Sequence, residues 1–278
     1  MMRHRRNAGH VPVEGSSAGR KVQWSSTMLE IGFAVAILLL LLACLEAGFR
    51  GGRRAATTAG DAAGGSQIGA VQGAALGLLG LLLAFSFGGA ASRYMERQRL
   101  IIQEANAIGT ACLRAELLDE PWQSELRTAL ADYLTHRIRV STHLRYGLSP
   151  ETAAEIRLFH ERIWKAAQEG VRAKPATMVV VLPPVNEVID LHATRVATEH
   201  VHLPTVVLGL LVLCSALAIG VIGFGCGLTR RRCPTMTISL TVLVTAALYT
   251  TIDFDHPGIG LIRTSDSPLI ELETGLRR

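Results

Sequence analysis

Residues 68–91 read IGAVQGAALGLLGLLLAFSFGGAA, an apolar run without a single charged side chain. Wound as a helix at about 1.5 Å per residue, it is long enough to cross the roughly 30 Å hydrocarbon layer of a bilayer. Its internal order adds a second message. Gly69 and Gly73, followed by Ala84, Gly88 and Ser92, recur at four-residue spacing and fall on one helical face, which predicts a packing stripe where backbones approach closely.

Three more apolar blocks flank this one. Residues 28–49 include five consecutive leucines, Leu38 to Leu42, while 203–228 and 235–252 are separated only by a turn holding Arg230, Arg231, Arg232 and Pro234, so they form a hairpin. The reading is an all-α integral membrane protein with transmembrane helices at 27–49, 67–92, 203–228 and 235–252. A helical extramembrane domain, 93–202, is inserted between the second and third. The remaining segments are a basic disordered tail at 1–26, a loop at 50–66 rich in Gly, Ala and Ser, and a C-terminal tail at 253–278.

Composition agrees. Of 278 residues, 49% are hydrophobic and only 18% charged, with the apolar ones gathered in blocks rather than spread with helical or strand period. The net charge of +5 sits mainly at block ends, where it meets lipid headgroups and sets topology. No aromatic-basic motif for nucleic acid is present, and the lipid bilayer is the expected surrounding.

Within 93–202, no Pro or Gly interrupts the chain until Gly109, and Ile101, Ala105, Ile108, Cys112 and Ala115 keep a four-three spacing, so helix two continues out of the membrane. The step Asp119-Glu120-Pro121 ends it and a new helix begins at Trp122, with Leu126, Leu130, Tyr133 and Leu134 on its apolar face. Ser149-Pro150-Glu151 opens a further helix carrying Ile156, Phe159 and Ile163. Pro175 and the pair Pro183-Pro184 bracket a Val-rich linker, with a last amphipathic helix from Val185 towards Pro204. The short apolar motif Pro268-Leu269-Ile270 is suited to docking on the insert.

Chemistry-bearing groups are few. His200 and His202 stand two apart, a spacing that points them to different sides of a helix, and no third ligand follows, so no metal and no cofactor is assigned. Thr237, Thr241 and Thr245 share a face, where hydroxyls can line a path or simply bond their own backbone. Arg93 is an interfacial cation whose ion-pair partner is expected in Glu96 or Glu104, and Glu46 reaches water at a membrane boundary. Asp253 and Asp255 alone are too few oxygens for calcium. The five cysteines contain no C-x-x-C pair and read as small packing residues. Leu41-Leu42-Ala43-Cys44 also fits a lipoprotein cleavage box, a reading that an intact mass would decide. There is no nucleophile elbow, phosphate loop or H-E-x-x-H, and catalysis has no support.

Leu81-Leu82-Leu83-Ala84-Phe85-Ser86-Phe87 passing through Gly88 to Ser92 into Arg93-Tyr94 resembles the pore segment of bestrophin anion channels, where an apolar-aromatic run ends in Arg-Trp. From Arg93 through Glu104-Ala105-Asn106-Ala107-Ile108-Gly109-Thr110 to Leu118, and again at Asp253-Phe254-Asp255-His256-Pro257-Gly258-Ile259-Gly260-Leu261-Ile262-Arg263, the chain is similar to the bacterial bestrophin-like family. A basic residue commonly stands there in place of His256. The likeness covers most of residues 28–272.

The resemblance implies a homo-oligomer, a pentamer in the channel reading, around a pore that passes small anions. Gly77, Leu81 and Phe85 would form an apolar neck, resting on Leu81 and Phe85 because Gly77 is too small to constrict, and Arg93 would stand at the pore mouth. The plainer reading makes the same residues lipid-facing or packing side chains of a non-conducting scaffold or sensor that binds a protein partner through its insert. Near-membrane basic residues are nearly balanced between the two sides, and Arg3, Arg5 and Arg6 tilt the insert and both termini towards the cytoplasm of a multi-pass cell-membrane protein.

Overall fold

A computed structural model describes residues 16–58, 65–143, 149–256 and 262–277. Its helices are α1 (Ser16–Thr58), α2 (Gly65–Ala115), α3 (Trp122–His143), α4 (Pro150–Ala173), α5 (Met178–Glu199), α6 (Thr205–Leu228), α7 (Pro234–Asp255) and α8 (Ser267–Leu276). Four of them, α1, α2, α6 and α7, are long and apolar enough to cross a membrane.

The four long helices gather around Ile37, Leu41, Leu79, Leu211, Ile219, Val244 and Leu248. The tightest seam joins α1 to α6. A methyl group built on Gly48 would collide with the Gly220 carbonyl, one on Gly52 with the Phe224 carbonyl, and ones on Gly223 and Gly227 with the carbonyls of Leu45 and Phe49. Both helices therefore use glycines four apart to bring backbone against backbone, which replaces the hydrophobic effect where lipid is as apolar as leucine.

The distal half of α2 joins α3, α4, α5 and α8 in a second cluster built on Ile101, Ile108, Leu126, Leu130, Ile163, Val181, Val185 and Val188. Ser149 caps α4, its hydroxyl accepting from the Thr152 N–H at 3.1 Å, with Pro150 in the first turn. On α8, Leu269 is fully buried, Leu272 reaches Gly109 of α2, and the Thr135 hydroxyl of α3 donates to Glu273 at 2.7 Å. The motif at 268–270 thus docks where the apolar pattern placed it.

Boundaries differ in three places. Helix α1 begins at Ser16, inside the 1–26 segment expected to be disordered, because no proline stops propagation back from the span. It also continues to Thr58 through part of the expected 50–66 loop, where Arg50 pairs with Glu46 one turn back at 2.9 Å and Gly51 and Gly52 lie against Phe224. Residues 1–15 and 59–64 lie outside the described residues. Finally, α5 runs straight through Pro183 and Pro184 instead of starting at Val185. A proline at 184 leaves the Val180 carbonyl without its helical donor, and the Arg114 guanidinium of α2 supplies one at 3.2 Å.

The candidate pore helix and its anchorage

Helix α2 turns one long face away from the rest of the subunit. Gly69, Gly73, Gly77, Leu81, Ala84, Phe85, Gly88 and Ser92 are exposed along it, Phe85 to 73% and Leu81 to 54%, and nothing of the subunit lies within 4 Å of a methyl built on any of the four glycines. The face continues past Ser92 through Met95, Arg99, Ile102, Asn106, Thr110 and Leu113, all exposed and all three or four residues apart. The neck candidates and the small-residue stripe are thus brought together, and the glycines that pack inside the subunit are the others, on α1 and α6. Gly48 with Gly52 and Gly223 with Gly227 carried the same four-residue spacing and could have been singled out by it.

Arg93 lies beside this face, turned inward. Its guanidinium pairs with Asp255 of α7, NH2 standing 2.8 Å and Nε 3.0 Å from Oδ1, so neither Glu96 nor Glu104 is its partner. Glu96 pairs with Arg99. Asp255 is fully buried and also accepts the Leu203 N–H at 2.8 Å. Next along α2, buried Arg97 donates to the backbone carbonyls of Asp255 at 3.2 Å and Val201 at 2.8 Å. One carboxylate therefore ties α2, the α5–α6 joint and the end of α7 together, a convergence that no local spacing discloses. Phe254 packs edge-on against both Phe87 and Tyr94 beside it.

Two turns further, Glu104 is completely buried and held from three sides: Arg137 at 3.0 Å, Arg195 at 2.9 Å and the Tyr133 hydroxyl at 2.8 Å. The arrangement obeys the rule that a buried charge is paired and hydrogen-bonded. Burial opposes the charge on Arg137, but Glu104 outweighs it and leaves the guanidinium more basic than usual. Burial, reinforced by the same carboxylate, pushes the Tyr133 phenol well up. His160 and His192 flank Tyr133, and burial pushes both down, His192 to about 4 with Arg137 adding to the effect.

The remaining candidates are quieter. Each threonine of the stripe Thr237, Thr241 and Thr245 bonds a carbonyl four residues back, at 3.1, 2.7 and 2.8 Å. Glu46 sits between Arg50 and Arg232, whose guanidinium also covers the Phe49 ring at 4.1 Å.

No curated protein and no solved structure matches the chain. A family model does: the Bestrophin-like domain aligns with residues 32–269, embracing all four apolar helices and the cluster between them. By that match the chain is a membrane protein of the bestrophin-like family.

Proposed function

We propose that this protein is a homo-oligomeric, passive anion channel in which α2 from each of five subunits lines the axis. The observation that carries the reading is the exposed face of α2, running from Gly69 to Leu113, whose four glycines meet nothing of the subunit. Leu81 and Phe85 project from the membrane-spanning part of this face, between the small residues that let helices approach closely. In a ring these side chains form a neck that excludes water until it widens, with Gly77 leaving space on one side. At the end of the neck Arg93 is anchored to Asp255 and Arg97 to backbone carbonyls, so Arg99, exposed on the open face beside Glu96, is the arginine best placed to meet an anion. The α3–α5 cluster lies outside the bilayer, since α2 is more than twice the length a span requires, and it faces the cytoplasm together with both termini. Passive conduction needs no catalytic residue.

Liposomes loaded with chloride and a halide-sensitive dye provide the test. The purified protein is expected to admit halide down its gradient, and Leu81→Ala combined with Phe85→Ala is expected to increase the leak about tenfold or more by removing the dewetting barrier. Unchanged flux in a double variant that folds and assembles would remove the neck, and no flux from either protein would leave the scaffold or sensor reading in its place.

A further inference from the structure

His202, Asp255 and His256 meet at the junction of the α5–α6 joint with the end of α7, and their potential ligand atoms all lie within 4.8 Å of one another. We infer that these three side chains form a binding site for a divalent transition-metal ion of the zinc type. Sequence spacing could not find it, because the two histidines that share the site are not His200 and His202 but His202 and His256, brought together by the return of α7.

The donor set fits the chemistry. Two imidazole nitrogens and one carboxylate oxygen are the ligands of borderline divalent metals, and three protein ligands leave a fourth position for water. The dimensions fit as well. Metal–ligand bonds of about 2.0–2.1 Å in a tetrahedron put ligand atoms about 3.4 Å apart. The Nδ1 atoms of His256 and His202 stand 3.6 and 3.8 Å from Asp255 Oδ2, while the two rings lie parallel with centroids 4.3 Å apart. Ligation of one ion requires the stacked imidazoles to turn out of parallel, so that both nitrogen lone pairs converge, and the exposure of His202 leaves its ring room to do so.

His256 Nδ1 is buried and has no hydrogen-bond partner, which a metal bond would provide. The His202 Nδ1 contact with the Asp255 carbonyl, at 2.9 Å, would be exchanged for the ion. The carboxylate is already oriented. Arg93 holds Oδ1 and the Leu203 N–H reaches both oxygens, while Oδ2 is the one that stands beside the two imidazoles, in the way outer hydrogen bonds commonly fix a ligating carboxylate. His202 keeps 37% of its side chain exposed and gives the ion an entry path. An ion here would clamp α7 to the joint between the α3–α5 cluster and the four-span half, whether or not the protein conducts.

The experiment uses full-length protein in detergent, stripped with a chelator and carrying no polyhistidine tag, titrated with Co²⁺ and then Zn²⁺. One Co²⁺ per subunit is expected, with visible d–d absorption that Zn²⁺ abolishes, and with a higher melting temperature in Zn²⁺. His202→Ala and His256→Ala are each expected to weaken Co²⁺ binding about tenfold or more. These variants spare Asp255, whose loss would strand Arg93 and disturb the fold. Absence of Co²⁺ binding at millimolar metal, or an unaltered spectrum and stoichiometry in the double histidine variant, would overturn the site.

Discussion

The four-span half and the α3–α5 cluster solve the packing problem with different means. In the cluster, bulky side chains from five helices surround a buried ion network, and Tyr133, Leu126, Leu130 and Glu104 are entirely inaccessible. In the four-span half the closest contacts are glycine to backbone, and large side chains such as Phe85, Leu213 and Leu243 stay exposed. Water drives the first arrangement and is absent from the second, where close approach of backbones has to serve. Under the proposed function the contrast divides the labour: the cluster finishes its own packing, and the exposed face of α2 is the surface offered to other copies.

The largest expected effect lies in the cluster. Glu104→Gln keeps the shape and a bond to Tyr133 but strands buried Arg137 and leaves Arg195 only Glu199, and it is expected to lower the stability of the fold by about 3–5 kcal/mol in thermal or denaturant unfolding. Next comes the seam between α1 and α6. Gly48→Val drives a side chain into the Gly220 carbonyl, which as backbone cannot swing aside, and a loss of up to about 3 kcal/mol should appear as a lower melting temperature in detergent.

A pH effect of intermediate size belongs to the cluster. His192 is faced by Glu104 of α2, Tyr133 and Arg137 of α3, His160 of α4 and Arg195 of its own helix. With its pKa held at about 4 against an ordinary 6.5, it favours the fold when neutral. Its contribution is present above pH 6.5 and is lost as the pH falls from there to about 4, on the order of 2 kcal/mol in all. His192→Asn is expected to flatten melting temperature against pH in that interval. The smallest effect tests the contrast from the other side. Gly73→Ala, on the open face of α2, meets nothing within the subunit and should shift subunit stability by no more than about 1 kcal/mol, in sharp difference from Gly48→Val.

The apolar blocks made the four spans legible, and the uninterrupted four-three spacing after Ser92 made the extension of α2 legible too, because both signals are local. Ser149-Pro150 carried a helix start for the same reason. What escaped depended on partners far along the chain. A helix through Pro183 and Pro184 requires Arg114, the role of Arg93 requires Asp255, and the histidine pair requires the return of α7. Four-residue glycine spacing occurs on α1, α2 and α6 alike, and within the subunit it coincides with close backbone approach on α1 and α6 but not at Gly69, Gly73 or Gly88 of α2, so it does not say whether a surface is approached or by which subunit.

That ambiguity is resolved most directly by counting subunits. Native mass spectrometry of the full-length protein released from nanodiscs should give a pentamer, the number that the resemblance to bestrophin channels implies and that the proposed pore requires. A stable monomer or dimer would contradict the account, leaving the exposed α2 face to lipid or to a different protein and removing the pore.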